Sequence, residues 1–374
     1  RNDLGQMASA LAGAVNERQS LGLDLRNPPG TGAALFDLAQ PLSINAATNA
    51  RDAGGSFRAN VTLSITDASQ LQASDYDLRQ DGAGAWQLTR LSDGLVRTVA
   101  DGDTVDGFTI TLGTPAPAAT DRFLLRPLAA PPTGCSKKRS VGGAAKGLAV
   151  ALTDPRGIAA AAPVSATAGT SNTGTAAIAS VQVVDAAVNP NQTATVTFRG
   201  TGTAYDWTLT DSASGAVVSS GSATWTPGSP ILINGTELSF SGVPMAGDTF
   251  TLAKTVNPWA NNGNALAFAQ LRDQPLVGQV LQPNGSLVQG ATLSDAYASA
   301  MAKVGAQVQR VQAASEISSS VAAQADTARA TATGVNLDEE AARLLQYQQS
   351  YQAAAKVLQV AQSLFDSILQ AAAH

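Results

Sequence analysis

Gly334-Val-Asn-Leu-Asp-Glu-Glu-Ala-Ala-Arg-Leu-Leu-Gln-Tyr-Gln-Gln-Ser-Tyr-Gln-Ala-Ala-Ala-Lys-Val-Leu-Gln-Val-Ala-Gln-Ser-Leu-Phe-Asp-Ser-Ile-Leu369 reads as one long amphipathic helix. Asn336 can cap it, and Glu339 three residues on can return the bond, as in a capping box. Asp338, Glu339 and Glu340 put acids in the first turn, where the helix dipole favours them. Gly334 is placed to close a preceding helix. Steps of four and three pick out Leu337, Ala341, Leu344, Gln348, Tyr351, Ala355, Leu358, Gln362, Phe365 and Leu369, a heptad-like seam with two glutamines in it. A flanking stripe of Tyr347, Ala354, Ala361 and Ile368 makes the apolar face wider than a two-helix seam needs. Periodicity alone leaves two readings open: the core helix of an ordinary bundle, or a helix that also packs between subunits.

The wording of this run resembles the C-terminus of bacterial flagellar axial proteins, and within them the hook-associated proteins. Leu293-Ser-Asp-Ala-Tyr297, the Gln/Ser/Ala-rich stretch after it, Asn264-Ala-Leu-Ala267, Leu271 and Pro275-Leu-Val277 carry the same resemblance. It is strong over the last hundred and ten residues or so, weaker over the first forty, and general in the middle. The resemblance implies a structural adaptor between hook and filament, with a helical inner domain and β domains projecting outward. It implies other copies of the chain, the hook protein and the next hook-associated or filament protein as partners. It also implies a dedicated export chaperone on the C-terminal helix, and an extracellular place on the flagellum reached through type III export. Leu337, Leu344, Leu345, Tyr351, Leu358, Phe365 and Leu369 are the expected subunit or chaperone interface. The family's first helix has no counterpart here, so the chain reads as a fragment that starts inside the helical domain and should be monomeric. Surface β domains would be antigenic, as a consequence of location.

Composition points the same way. A chain of 374 residues holds about two to four domains. Aromatics at 5% and charged residues at 14% are low for an enzyme, and a net charge of −5 argues against a nucleic-acid surface. The compact basic run Lys137-Lys138-Arg139 lies in a Pro/Gly-rich loop without interleaved aromatics. Cys135 is the one cysteine, which excludes an intrachain disulfide. No signal peptide is evident, and the apolar run Ile158 to Val164 is too short to span a membrane.

The chain reads as α+β and multidomain: a helical bundle domain built from both ends, with two tandem, mostly antiparallel β domains between. The expected divisions are 1–40 (helical, first part), 41–158 (first β domain), 159–257 (second β domain) and 258–374 (helical, second part), with a helical hairpin over 292–370. Leu4, Met7, Ala8, Leu11, Ala14 and Val15 have helical spacing with Asn2 as cap, ended by Gly22 and Asn27-Pro-Pro-Gly30. Val61-Leu63-Ile65, Phe108-Ile110-Leu112 and Phe123-Leu125 alternate with polar residues, as strands do. The second β domain repeats the first: Trp86-Gln-Leu-Thr89 answers Trp207-Thr-Leu-Thr210, and Asp121-Arg-Phe-Leu-Leu125 answers Asp248-Thr-Phe-Thr-Leu252. Tyr76-Asp77 and Tyr205-Asp206 are a further match, at unequal spacing. Pro131 to Gly147 reads as a loop insertion and Ala159 to Thr175 as a linker. Helical spacing returns at Asn264 to Arg272; after a Pro283-Asn-Gly285 turn, Thr292 and Asp295 form a second capping box for a helix running to about Thr331.

No catalytic, cofactor or metal residue is expected. His374 is the only histidine, which leaves no Ser-His-Asp or Cys-His arrangement and no zinc cluster. Asp101, Asp103 and Asp106 could offer oxygens to calcium, but the downstream glutamate of a calcium loop is lacking, so a hairpin turn is the simpler reading. Trp86 and Trp207 read as core residues rather than a sugar platform, and Asn234-Gly235 as a hairpin turn. The competing function is a tandem β-domain surface adhesin binding carbohydrate or a host surface.

Overall fold

Period-two alternation puts one face of each strand on a core, and in this computed structural model it yields two β modules of eight strands each. The structure describes residues 2–38, 40–130, 142–200, 202–282, 284–334 and 336–372. Cys135, Lys137 to Arg139 and His374 lie outside them. The first module runs β1 (Leu42–Asn45), β2 (Val61–Ile65), β3 (Tyr76–Gln80), β4 (Trp86–Arg90), β5 (Val96–Val99), β6 (Thr104–Val105), β7 (Phe108–Leu112) and β8 (Arg122–Arg126). The second runs β9 (Val164–Ala168), β10 (Ala177–Val183), β11 (Gln192–Arg199), β12 (Ala204–Asp211), β13 (Val217–Thr224), β14 (Ile231–Ile233), β15 (Thr236–Ser241) and β16 (Thr249–Lys254). The larger sheets are ordered β1-β8-β3-β4-β5 and β9-β16-β11-β12-β13, and the smaller ones β2-β7-β6 and β10-β15-β14. Adding eight to each strand number converts one module into the other, so the repeat legible in the sequence is a repeat of topology.

The same devices recur at the same places. Asp106-Gly107 and Asn234-Gly235 both have positive φ at both residues, as a tight two-residue hairpin requires. The carbonyl of Gly107 accepts from the backbone N–H groups of Thr66 and Asp67, and that of Gly235 from Val184 and Asp185. Asp121 and Asp248 are both buried ahead of their modules' last strands. Asp121 accepts from the backbone N–H groups of Ala50 and Ala118, each at 2.8 Å. Asp248 accepts from Thr173 at 2.7 Å and Met245 at 2.8 Å. Each carboxylate thereby ties the loop after the first strand to the loop before the last. The cores are aromatic and aliphatic: Tyr76, Leu78, Phe108 and Phe123 in the first, Phe198, Trp225, Phe240 and Phe250 in the second.

Three sequence expectations change. Tyr76-Asp77 lies on β3 but Tyr205-Asp206 on β12, so these are not equivalent positions. The stretch read as a linker contains β9, which pairs with β16 from Val164↔Lys254 to Ala168↔Phe250. Small Ala, Ser and Thr side chains suit a strand whose stability comes from backbone pairing, which composition does not display. Gly142–Gly143, at the end of the expected loop insertion, pairs with Ala129–Ala130, and the helical turn Ala144–Gly147 after it lies against the first helix.

That first helix, α1 (Asn2–Ser20), runs on to α2 (Gly263–Gln270) through the core rather than the chain. Asn2 stands inside α1 rather than before it. Met7 and Ala10 pack with Leu271, Leu276, Val277 and Ala300, so residues from both parts of the sequence share one apolar cluster. The buried Gln19 donates from Nε2 to the carbonyl of Gly157 at 2.5 Å and accepts from Ala159 N–H at 3.2 Å. Asn264 donates to the carbonyls of Arg18 at 2.8 Å and Ala159 at 2.6 Å. Chain approach here is close: a Cβ on Gly22 would stand 2.2 Å from Asn264 Nδ2. The last helices are α3 (Leu293–Thr333) and α4 (Leu337–Ala372). The chain divides into two compact units, Arg1–Met301 and Ala302–His374.

Removing the side chain at Gln19 orphans a buried donor and a buried acceptor. Gln19→Ala should therefore cost about 3 kcal/mol, at roughly 1–3 kcal/mol per unsatisfied buried group, measured by urea unfolding of the first unit's tryptophan fluorescence. The Asp248 clasp gives an acid signature. Burial raises its pKa, but the N–H groups of Met245, Thr173 and Gly174 outweigh that and hold it below the ordinary 3.8. Its contribution is thus fully present above the unfolded carboxylate value and is lost as pH falls through the lowered folded value. Asp248→Asn should flatten the acid limb of a stability–pH curve recorded by circular dichroism.

Candidate functional site

The helix α4 starts where Asn336 predicts. Asn336 Oδ1 accepts from Asp338 N–H at 3.2 Å, and its carbonyl accepts from Glu340 N–H at 3.0 Å. The return bond from Glu339 is not made: its carboxylate pairs instead with Arg343 at 3.2 Å, joined by Glu340 at 3.4 Å. A charged partner one turn along competes successfully with a backbone amide. At the other junction half of the expected box forms: Thr292 Oγ1 accepts from Asp295 N–H at 3.2 Å, while the Asp295 carboxylate accepts from the Thr292 hydroxyl at 2.8 Å rather than from its backbone N–H. Gly334 N–H reaches the Ala330 carbonyl at 2.6 Å and ends α3.

The antiparallel hairpin expected over 292–370 does not form. No residue of α4 is buried, and Ala300 is the single buried residue of α3. Val304, Val308, Val311, Ile317 and Val321 of α3 are all exposed. Periodicity gives each helix an apolar face but does not name its partner, and here the partner is not the neighbouring helix.

The seven expected interface residues therefore stand in the open. Leu337, Leu344, Leu345, Tyr351, Leu358, Phe365 and Leu369 are between 57% (Leu369) and 80% (Tyr351) exposed. Leu337, Leu344, Tyr351, Leu358 and Phe365 recur every seventh residue along one face, a stripe roughly 48 Å long to Leu369 at 1.5 Å per residue. Leu345 and Tyr347 widen it, as Val357, Val360 and Leu364 do further on. Each side chain of this size gains about 1.5–3 kcal/mol on full burial. An uncovered stripe of this extent is a large reserve of association energy.

Sequence periodicity did not reveal a second apolar surface, in the first unit. Leu4, Met7, Ala8 and Leu11 of α1 line a groove of about 420 Å³ with Leu148 and Tyr297. Leu4, Met7, Ala8 and Leu11 were legible as a helix face, but their neighbours from distant segments were not. The remaining candidates are accounted for locally. Asp101 accepts from Leu112 N–H and Asp103 from Ala100 N–H, both at 2.7 Å. Asp106 accepts from Tyr76 Oη at 2.7 Å and pairs with Arg90 at 3.0 Å. Burial first, and the Asp106 carboxylate second, push the Tyr76 phenol well above its ordinary range. Trp86 is buried beside Phe123, and Trp207 packs on the second core. Among the described residues no group of His, Cys, Asp and Glu is placed to hold a metal, and no helix is long and apolar enough to cross a membrane.

An open heptad stripe is a surface suited to helix packing. Residues 330–371 match the model of the flagellar basal body rod FlgEFG protein C-terminal, and residues 47–127 that of the flagellar hook-associated protein 1, D2-like domain. The chain is similar to flagellar hook-associated protein 1 of Salmonella typhimurium, at 26% identity over 373 residues, covering 99% of this chain and 46% of that protein. It is 33% identical to the Escherichia coli protein of that name over 153 residues, covering 37% of this chain and 28% of that one. The flagellar hook junction protein FlgK from Burkholderia pseudomallei superposes with a TM-score of 0.61 and 26% identity, over 88% of this chain and 59% of that one. The resemblance to flagellar hook-associated protein 1 thus runs along essentially the whole chain, which spans about half the length of the Salmonella relative.

With no buried residue, α4 rests on marginal local helix stability. Amides of residues 337–372 should exchange at least about a hundredfold faster than those of β7 and β8, as read by hydrogen-exchange mass spectrometry at neutral pH.

Proposed function

We propose that this chain is a structural adaptor of the bacterial flagellum, joining hook to filament by helix packing between subunits. The observation that carries the proposal is the exposed apolar stripe from Leu337 to Leu369 along α4. The similarity to hook-associated protein 1 supports it, since that protein's name places it at the hook. In a helical lattice a head-to-tail contact does not close on itself, so repeated helix contacts build a layer rather than a compact oligomer. The division into a helical part (1–40 and 258–374) and two β domains (41–158 and 159–257) belongs to this reading: helices hold the lattice and β modules face outward. The extracellular place on the flagellum, export without a cleaved signal and the lack of enzymatic activity follow from the same role. So does a chaperone on α4, because about 48 Å of exposed apolar stripe needs cover before assembly. The adhesin reading loses its best residues, because Trp86 is buried and Trp207 packs on its own core.

Leu358→Asp combined with Phe365→Asp places two charges in the stripe and should abolish incorporation into flagella, while the β modules stay folded by circular dichroism. Complementation of a knockout strain, scored for hook–filament attachment and swimming, reads the outcome. Normal motility with the double variant would refute the role.

A further inference from the structure

Asn-Gly occurs three times in the chain, at 234–235, 262–263 and 284–285. In such a pair the backbone nitrogen of the glycine can attack the side-chain amide carbon of the asparagine, because glycine has no side chain to hinder the approach. Sequence gives all three pairs the same chemistry. The structure separates them by what must be broken before the nitrogen reaches Cγ.

Asn234 is held through both side-chain atoms. Its Nδ2 donates to the Asn189 carbonyl at 2.9 Å, and its Oδ1 accepts from Asn189 N–H at 3.3 Å. It turns the hairpin between β14 and β15, where the flanking pair Ile233 and Thr236 is buried. Asn262 is exposed, but its carbonyl accepts from Leu266 N–H at 3.0 Å, at the start of α2. Gly263 N–H is itself engaged by Asn261 Oδ1 at 2.9 Å. Rotating Asn262 to bring the Gly263 nitrogen onto Cγ swings that carbonyl out of the helix. Asn284 stands instead at the tip of a hairpin whose strands, Val280–Leu281 and Leu287–Val288, are two residues each. Asn284, Gly285 and Ser286 are all exposed. Asn284 Oδ1 accepts from Ser286 N–H at 3.0 Å and from Ser286 Oγ at 2.7 Å, which folds the side chain back along its own main chain. Neither bond holds the Nδ2 that would depart. Gly285 N–H donates to the Gln282 carbonyl at 2.9 Å, a single bond in an exposed turn.

We propose that Asn284 is a modification site of this chain, deamidating through a succinimide formed with Gly285 ahead of Asn234 and Asn262. Gly285 N gives up its proton and bonds to Asn284 Cγ. The Cγ–Nδ2 bond breaks, and Nδ2 leaves with that proton as ammonia. Water then opens the ring at either carbonyl, leaving aspartate or isoaspartate. Only water enters and only ammonia leaves, so no oxidant or reductant takes part. Negative charge grows on Oδ1 as the nitrogen adds, and both Ser286 donors already point at that oxygen. Freeing the Gly285 nitrogen costs little, because a two-residue hairpin has little stability of its own. The product carries a new negative charge at the hairpin tip. In the isoaspartate form the main chain runs through the former side chain, with one more carbon in the turn.

This site is independent of the adaptor role, and its test needs no partner. The full chain is incubated at mildly alkaline pH, digested, and read by mass spectrometry for amide-to-acid conversion at each asparagine. In the folded chain Asn284 should convert at least about tenfold faster than Asn234 or Asn262. In guanidinium chloride the three rates should converge to within a few-fold, since each asparagine is followed by glycine. Ser286→Ala removes one donor to Oδ1 and should slow Asn284 several-fold in the folded chain, with an unchanged circular dichroism spectrum and unchanged rates at the other two sites. The product should contain isoaspartate, which direct hydrolysis of the amide does not form. Equal rates at the three sites in the folded chain, or faster conversion at Asn234 or Asn262, overturn the proposal. So does an Asn284 rate indifferent to Ser286→Ala, or a product that is aspartate alone.

Discussion

A buried amide knot ties the first unit together. Gln19 and Asn264 join the end of α1, the segment from Gly157 to Ala159 and the start of α2 through four hydrogen bonds to the backbone. Buried backbone groups away from regular structure need partners, and here the partners come from positions far apart in sequence. The knot fixes where the chain enters the second β module and where it returns. Gly22 is glycine because Asn264 occupies the space a side chain would need. Asn264 stands in one of the short runs that carry the family resemblance, and its structural duty is this bond set.

Around that knot the fold is economical. One eight-strand plan is used twice, with the same hairpin conformation at Asp106-Gly107 and Asn234-Gly235 and the same buried aspartate clasp at Asp121 and Asp248. The modules differ where they meet solvent. Arg90, Asp93 and Asp106 gather on the first, with Arg90 holding the Asp93 carboxyl down to about 2. The second presents hydroxyl-bearing strands.

The C-terminal helix reverses the usual relation between apolar residues and the core. Its leucines and aromatics are not inside, and the helix is too regular for this to be a packing fault. An exposed apolar stripe of this extent is the kind of surface that marks an interaction site.

Local features were legible in the sequence because their causes are local. Caps at Thr292 and Asn336, the heptad spacing from Leu337, the period-two strands and the positive-φ turns are all set within a few residues. Even the repeat showed through Asp121 and Asp248, but Trp86 and Trp207 are two residues out of step: Trp207 pairs with Val196 beside Phe250, as Leu88 pairs with Leu78 beside Phe123. What escaped were choices among distant partners. The Ala/Ser/Thr stretch near Val164 became a strand because β16 was there to pair with it. Tyr205 fell on a strand not equivalent to that of Tyr76. The sequence by itself determined that α3 and α4 are helices with apolar faces; only the tertiary structure decided that those faces stay open. Periodicity reports which side of a helix avoids water, while the partner that covers it is a matter of long-range geometry.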